Sequence, residues 1–217
     1  MSLVSVSGAD AFDLLQWCFS KDLAAGMGPR GASLAPGRSV YGVFLDPRGH
    51  LIDDAIVFRL APSDFLVAVN AGMGAAIARH LAANAGGREV RVLDQTDRLG
   101  KIDIQGPQAA RVLGRVLKDP AAVFEKLSYF SFKGHFDPDS PSSRPVALVD
   151  GTPILLSRTG YTGEFGFEVF VRSAGLAGAW ETLLTAGRAF GLAPCGLAAR
   201  DSLRAGAVLP LSHQDIG

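Results

Sequence analysis

Ser157-Arg158-Thr159-Gly160-Tyr161-Thr162-Gly163-Glu164-Phe165-Gly166-Phe167-Glu168 sets three glycines, a tyrosine between two threonines, and two carboxylates at the head of an apolar run. From Phe165 onward the period of two puts Phe165, Phe167, Val169 and Val171 on one face and Gly166, Glu168 and Phe170 on the other. Both faces are largely apolar. That predicts a central strand, paired on each side, with Glu168 well inside. A carboxylate so placed must meet donors or give up its charge, because unpaired burial is costly.

Two kinds of partner satisfy Glu168. An arginine from elsewhere in the chain is favoured by residue chemistry alone, since buried ion pairs outnumber ligand anchors. The other is a ligand presenting two parallel N–H groups, such as a 2-amino-4-oxo pterin edge. Gly160 and Gly163 bracket Tyr161 in a turn that calls for positive φ or for close approach by another group.

The rest of the composition narrows the class. The 217 residues suffice for one full core or two smaller ones, and 21 basic residues balance 21 acidic ones. Such balance gives no footprint for nucleic acid or an anionic membrane. Cys18 and Cys195 are distant from one another, read as reduced thiols of a cytoplasmic protein, and make no metal site. No apolar run reaches transmembrane length, and no signal peptide is recognisable.

Along the chain, Val4–Gly8 reads as a strand leading into a helix with Ala11, Phe12, Leu15, Cys18 and Phe19 at helical spacing. A glycine-rich loop spans 26–37. Strands follow at Val40–Leu45 and Leu51–Phe58, joined by the hairpin turn Asp46-Pro47-Arg48-Gly49, and at Phe65–Val69, which ends at Asn70. The stripe Met73, Ala76, Ile77, His80 and Leu81 predicts a helix in which His80 is packed rather than a ligand. Another strand is expected at 89–93.

The second half repeats this opening. Ile104-Gln105-Gly106-Pro107-Gln108-Ala109 runs into a helix as Val6-Ser7-Gly8-Ala9-Asp10-Ala11 does, with Ala three residues beyond the glycine each time. This predicts a duplicated α+β unit, divided as 1–95 and 96–217. Strands are expected near Tyr129–Phe132 and Pro145–Val149, around an exposed loop at 135–143. The helix from Gly196 carries Arg200 and Arg204 on one face, with Ala199, Leu203 and Ala207 on another.

Several motifs carry a resemblance. Arg158 through Glu168 is similar to the R-T/C-G-Y-T-G-E-x-G-x-E signature of the aminomethyltransferase (glycine cleavage T-protein) family. Gly196-Leu197-Ala198-Ala199-Arg200-Asp201-Ser202-Leu203-Arg204 resembles its G-L-A/G-A-R-D-x-L-R helix. Leu209-Pro210-Leu211 with Gln214-Asp215-Ile216, Gly49–Asp54 and Ile104–Pro107 resemble further elements, in family order, across essentially the whole chain.

The resemblance implies duplicated ferredoxin-like βαβ units with antiparallel sheets that bind tetrahydrofolate. It also implies transfer of a one-carbon unit from an aminomethyl group on a lipoyl carrier (H) protein to folate, with release of ammonia. By the same route Asp54 is the catalytic carboxylate, Glu168 grips the pterin, Tyr161 lines its pocket, and Tyr41, Asn70 and Arg200 match further binding positions. Outside the resemblance, Asp54 reads as a strand-end turn residue and Arg200 as a salt-bridge partner of Asp201 or Glu168.

Departures from the family are visible. The F-D-x-S-H-M stretch has no counterpart before Val4, and no barrel domain follows residue 217. His50 replaces the second glycine of G-G, and Ser212-His213 stands where an aromatic is usual. These bear on carrier docking and turnover more than on pterin recognition. A folate-dependent demethylase with a sarcosine-like, sulfonium or methoxy donor, and a folate-binding module without turnover, stay open beside the aminomethyltransferase. The tRNA-modifying branch is disfavoured, because its K-G-C-Y-x-G-Q-E motif is absent.

Overall fold

The computed structural model describes residues 1–28, 31–137 and 145–216. Parts of two expected loops, at 26–37 and 135–143, therefore lie outside the described residues. The chain divides into two compact units, Met1–Asp97 with Leu211–Gly217, and Arg98–Pro210. The sequence boundary at 95 falls close to this division, but the C-terminal segment belongs with the first unit.

The first unit runs β1 (Ser2–Ser7), α1 (Ala11–Cys18), β2 (Arg38–Leu45), β3 (Leu51–Ala61), β4 (Asp64–Val69), α2 (Gly74–Ala83) and β5 (Arg91–Asp94). Its sheet is ordered β2-β3-β4-β1-β5, and every pairing is antiparallel. Val4, Val6, Phe44, Val57 and Val67 of one sheet face pack with Leu14 and Leu15 of α1 and Ile77 and Leu81 of α2 in a single apolar core. His80 meets Phe44 edge to face at 6.1 Å, and burial pushes its imidazole below the usual histidine value, as expected of a packed ring. In the β2–β3 turn the Asp46 carboxylate accepts from the Arg48 and His50 amides, a local reason for the hairpin.

The second unit runs β6 (Leu99–Gln105), α3 (Ala109–Val116), α4 (Pro120–Phe124), β7 (Phe132–Gly134), β8 (Val146–Ala147), β9 (Pro153–Ser157), β10 (Gly166–Arg172), α5 (Ser173–Gly187), a 3-10 turn at Arg188–Phe190 and α6 (Leu197–Gly206). The sheet order is β6-β10-β9-β7, with β8 also pairing β9. Reading β6, β7, β9 and β10 as counterparts of β1, β2, β3 and β4, both units have the same strand order. The architecture is the expected α+β fold with antiparallel sheets. Ile102, Ile104, Phe167 and Val169 pack with Val112, Leu113 and Leu183 in a separate core.

The repeat seen in sequence has a physical cause. Gly8 and Gly106 have φ of 125° and 119°, a region closed to residues with a Cβ, and their carbonyls accept the amides of Ala11 and Ala109. That bend turns each first strand into its helix, and both alanines are buried. Two expectations shift in detail. The strand predicted from Tyr129 starts at Phe132, because Phe130 sits at φ 55° and Tyr129 is exposed. On α6 the buried residue is Arg204, while Leu197 and Leu203 are exposed. Arg204 is held there by Asp201 Oδ1 at 2.7 Å and the Leu209 carbonyl at 3.3 Å.

Candidate functional site

The polar residues singled out in sequence fall into three groups: Tyr41, Asn70 and Asp54 in the first unit, and in the second Glu168 apart from Tyr161 with Arg200. In the first unit, Asp53 and Asp54 point to opposite faces of β3, as neighbours on a strand must. Asp53 stands on the core face, opposite Phe44, and is fully buried. It accepts the Asn70 backbone amide at 2.9 Å, the Asn70 side-chain amide at 2.8 Å and the Ser212 hydroxyl at 2.9 Å. Beside it His213 Nε2 lies 3.0 Å from the Ile52 carbonyl. Asp53 is thus a satisfied structural carboxylate.

Asp54 lies on the other face and is only partly buried. The Tyr41 hydroxyl donates to its Oδ2 at 2.9 Å, and Asn70 Nδ2 to its Oδ1 at 2.6 Å. Tyr41 reaches it diagonally, because it is registered with Ile56, two residues further along β3. Burial pushes the Asp54 carboxyl above the usual range. The Tyr41 and Asn70 bonds pull it down, and the charge of Asp53 adds to the rise. The structure therefore brings Tyr41, Asn70 and Asp54 into one hydrogen-bonded group, with Asn70 Nδ2 bridging both aspartates.

In the second unit β10 is central, paired with β6 on one side and β9 on the other. Glu168 stands in register with Asp103 and Ser157, and its side chain is 4% exposed. Its Oε1 takes an ion pair from Lys101 Nζ, and its Oε2 accepts the Thr159 hydroxyl. Ser157 Oγ lies 2.7 Å from Thr159 Oγ1. The internal partner is thus a lysine and not the arginine that residue chemistry favoured. Lys101 also reaches Asp103 at 3.2 Å. Burial works against the Lys101 charge, but Glu168 and Asp103 together hold its proton on, well above the usual lysine value. Burial pushes the Glu168 carboxyl above its usual range, and the Asp103 charge adds to the rise, while Lys101 and the Thr159 hydroxyl pull it back.

The remaining site positions, Tyr161 and Arg200, do different work. Tyr161 donates its hydroxyl to the Pro210 carbonyl, and the Arg200 guanidinium lies 5.5 Å from its ring centroid. Arg200 is thus placed over Tyr161, while Asp201 pairs with Arg204. Arg158 packs over Phe165 at 4.1 Å and donates to the Gly166 carbonyl, closing the turn. Gly163 has φ of 75° with Ala207 against it, and Gly160 lies against the Gln105 side chain, so the turn has both the positive φ and the close approach expected. Gln105 Nε2 donates to the Thr159 and Phe167 carbonyls. Its Oε1 is buried with no hydrogen-bond partner among the described residues.

Sequence reasoning missed Lys101 and Thr159 as partners of Glu168. The signal was present in the alternation of β6, where Lys101, Asp103 and Gln105 fall on one face and Ile102 and Ile104 on the other. A cavity of about 190 Å³ also lies in this unit, lined by Asp103, Gln105, Trp180, Cys195 and Arg200 among others. It does not include Glu168, and it is below the ~300–1,000 Å³ of drug-sized ligand pockets.

Fold and sites together define a duplicated α+β protein in which each unit presents a hydrogen-bonded acidic cluster. The chain belongs to the family described as the GCVT N-terminal domain, whose model matches residues 1–217. It is 33% identical over 216 residues to an aminomethyltransferase of Bacillus mycoides, covering 100% of this chain and 53% of that protein. It is 34% identical over 216 residues to the aminomethyltransferase of Streptomyces coelicolor, covering 100% and 52%. The crystal structure of the glycine cleavage system aminomethyltransferase T from Bartonella henselae aligns with a TM-score of 0.77 at 32% identity, over 99% of this chain and 51% of that one. A heterotetrameric sarcosine oxidase from Corynebacterium sp. U-96 shares the fold, with a TM-score of 0.58 at 20% identity over 90% of this chain and 83% of that one. The chain spans about half the length of the curated relatives it matches. Among the described residues no helix is long and apolar enough to cross a membrane.

Proposed function

We propose that this chain is the folate-binding portion of a one-carbon transferase, which moves a one-carbon unit from an aminomethyl group on a lipoyl carrier protein to tetrahydrofolate and releases ammonia. The observation that carries the reading is the unsatisfied acceptor capacity around Glu168. Among the described residues each carboxylate oxygen meets one donor, from Lys101 or Thr159, and retains a further lone pair. Gln105 Oε1, on the same strand face as Lys101 and Asp103, is buried and has no hydrogen-bond partner among the described residues. A ligand edge with two N–H donors fits this chemistry.

In this reading Glu168 accepts from the pterin edge, the Tyr161 ring forms a wall of its pocket, and Arg200 lies over that ring. Asp54 is the catalytic carboxylate, fixed in orientation by Tyr41 and Asn70. With its carboxyl raised by burial, it can hold a proton or orient an amine more readily than a solvated aspartate. Tetrahydrofolate, when bound, supplies the nucleophilic nitrogen that accepts the one-carbon unit.

A second donor class is favoured by one observation. Ser212 and His213 stand where the family has an aromatic, and both are spent on β3, on Asp53 and the Ile52 carbonyl. A folate-dependent demethylase with a different donor would use the same pterin residues and a different donor-side segment. Calorimetric titration with tetrahydrofolate tests the common core of both readings, and wild-type chain is expected to bind. Asp54→Asn is expected to keep binding while the longer protein carrying it loses turnover. Absence of binding by the wild-type chain contradicts both.

A further inference from the structure

Lys101 is one of the most deeply placed charges of the second unit, with its side chain 7% exposed. A lysine has three donors and no acceptor, so here it supplies counter-charge and hydrogen bonds, not recognition of N–H groups. Its Nζ meets Glu168 Oε1 on the buried side and Asp103 on the other, where the Asp103 side chain is 39% exposed. Among the described residues the charged groups acting on Glu168 are Lys101 and Asp103, both from β6. From the β9 side it accepts the hydroxyl of Thr159, whose Oγ1 lies 2.7 Å from Ser157 Oγ, and on β10 its same-face neighbours are Gly166 and Phe170.

The charge state of Glu168 decides what it can recognise. An ionised carboxylate is an acceptor only, whereas a neutral carboxylic acid presents an O–H and would set donor against donor at a two-N–H edge. We propose that Lys101 is a positioning residue: its ammonium holds Glu168 as a buried carboxylate with Oε1 turned toward β6, leaving the other lone pairs to receive two N–H groups of a ligand. The identity of that ligand rests on the folate reading; the charge state of Glu168 rests on the geometry alone. Burial pushes Glu168 toward its neutral form, so removing Lys101 leaves nothing of opposite charge to oppose that push.

The test joins two readouts on the 217-residue chain. Selectively labelled glutamate carboxyls are followed by carbon NMR, and tetrahydrofolate affinity is measured by calorimetry, both from about pH 6 to about pH 9. In wild type the Glu168 resonance is expected not to titrate in that window. In Lys101→Met it titrates inside the window, and folate affinity falls by about tenfold or more at the acid end while recovering toward wild type at the alkaline end. Lys101→Arg keeps the charge and is expected to keep the flat titration.

A wild-type Glu168 that titrates in the window overturns the proposal without any variant, which covers the case where Lys101→Met does not fold. A Lys101→Met chain whose affinity loss is the same at every pH also overturns it, since that marks a merely structural residue. If wild type binds no tetrahydrofolate while Glu168 stays ionised, the folate reading fails and the charge assignment to Lys101 stands.

Discussion

Asp54 in the first unit and Glu168 in the second are carboxylates on strands flanked on both sides, in units with the same strand order, yet their surroundings differ. Asp54 is met by neutral donors, the Tyr41 hydroxyl and the Asn70 amide, with the like charge of Asp53 one residue away. Glu168 is met by a buried cation and one hydroxyl. At Asp54 burial raises the carboxyl against the pull of two neutral hydrogen bonds. At Glu168 burial also raises the carboxyl, but a buried cation opposes it. On the proposed reading, the duplicated scaffold carries one carboxylate for proton handling and one for fixed recognition.

The largest expected effect breaks the second arrangement. Lys101→Met leaves Glu168 buried without its counter-charge and should cost about 3–5 kcal/mol in urea unfolding at neutral pH. Replacing Lys101 and Glu168 together by methionine should cost far less, because no buried charge remains. Equal losses in the single and the double variant would show that the pair contributes packing and not charge.

The shared strand order gives the next test. Gly8→Ala and Gly106→Ala both force an alanine into positive φ, a strain of about 1–3 kcal/mol. An added Cβ at Gly8 would also run into the Glu89 carbonyl, whereas at Gly106 it meets nothing within 4 Å. Thermal unfolding should therefore show the larger loss for Gly8→Ala. A reversed order would mean that the two bends are not equivalent parts of one design.

The smallest stability effect lies at Asp54. Because burial raises its folded-state carboxyl above the unfolded value, its contribution to stability is present in full at low pH and is lost as pH rises through the folded value. At neutral pH, Asp54→Asn should then be neutral or stabilising, by less than about 1 kcal/mol given the solvent screening of a half-buried group. The difference between variant and wild type should shrink as pH is lowered into the carboxylate range. A clear loss of stability at neutral pH would assign Asp54 a structural role like that of Asp53.

Local chemistry explains what could be read from the chain alone. The Asp46–Gly49 hairpin, the central β10 and the Gly-to-Ala bends at Gly8 and Gly106 are each set by a few contiguous residues. Glu168 asked for a partner from its own strand pattern. The partner itself depended on the pairing of β6 with β10, which joins residues 67 positions apart. The Ser212 bond to Asp53 spans 159 positions and follows from no local pattern. On α6 helical spacing proposed an apolar face, but the long Arg204 side chain is buried because its guanidinium finds Asp201 and a backbone carbonyl. Pairing across distance was the illegible part.

The most direct test of the account is calorimetric titration of tetrahydrofolate into wild-type chain and Glu168→Gln, side by side at neutral pH. Wild type is expected to bind, and the variant to lose about 1–3 kcal/mol of binding free energy, because a neutral amide unbalances a charged hydrogen-bond pair. Equal affinities in the two proteins would contradict the assignment of Glu168 as the residue that grips the pterin.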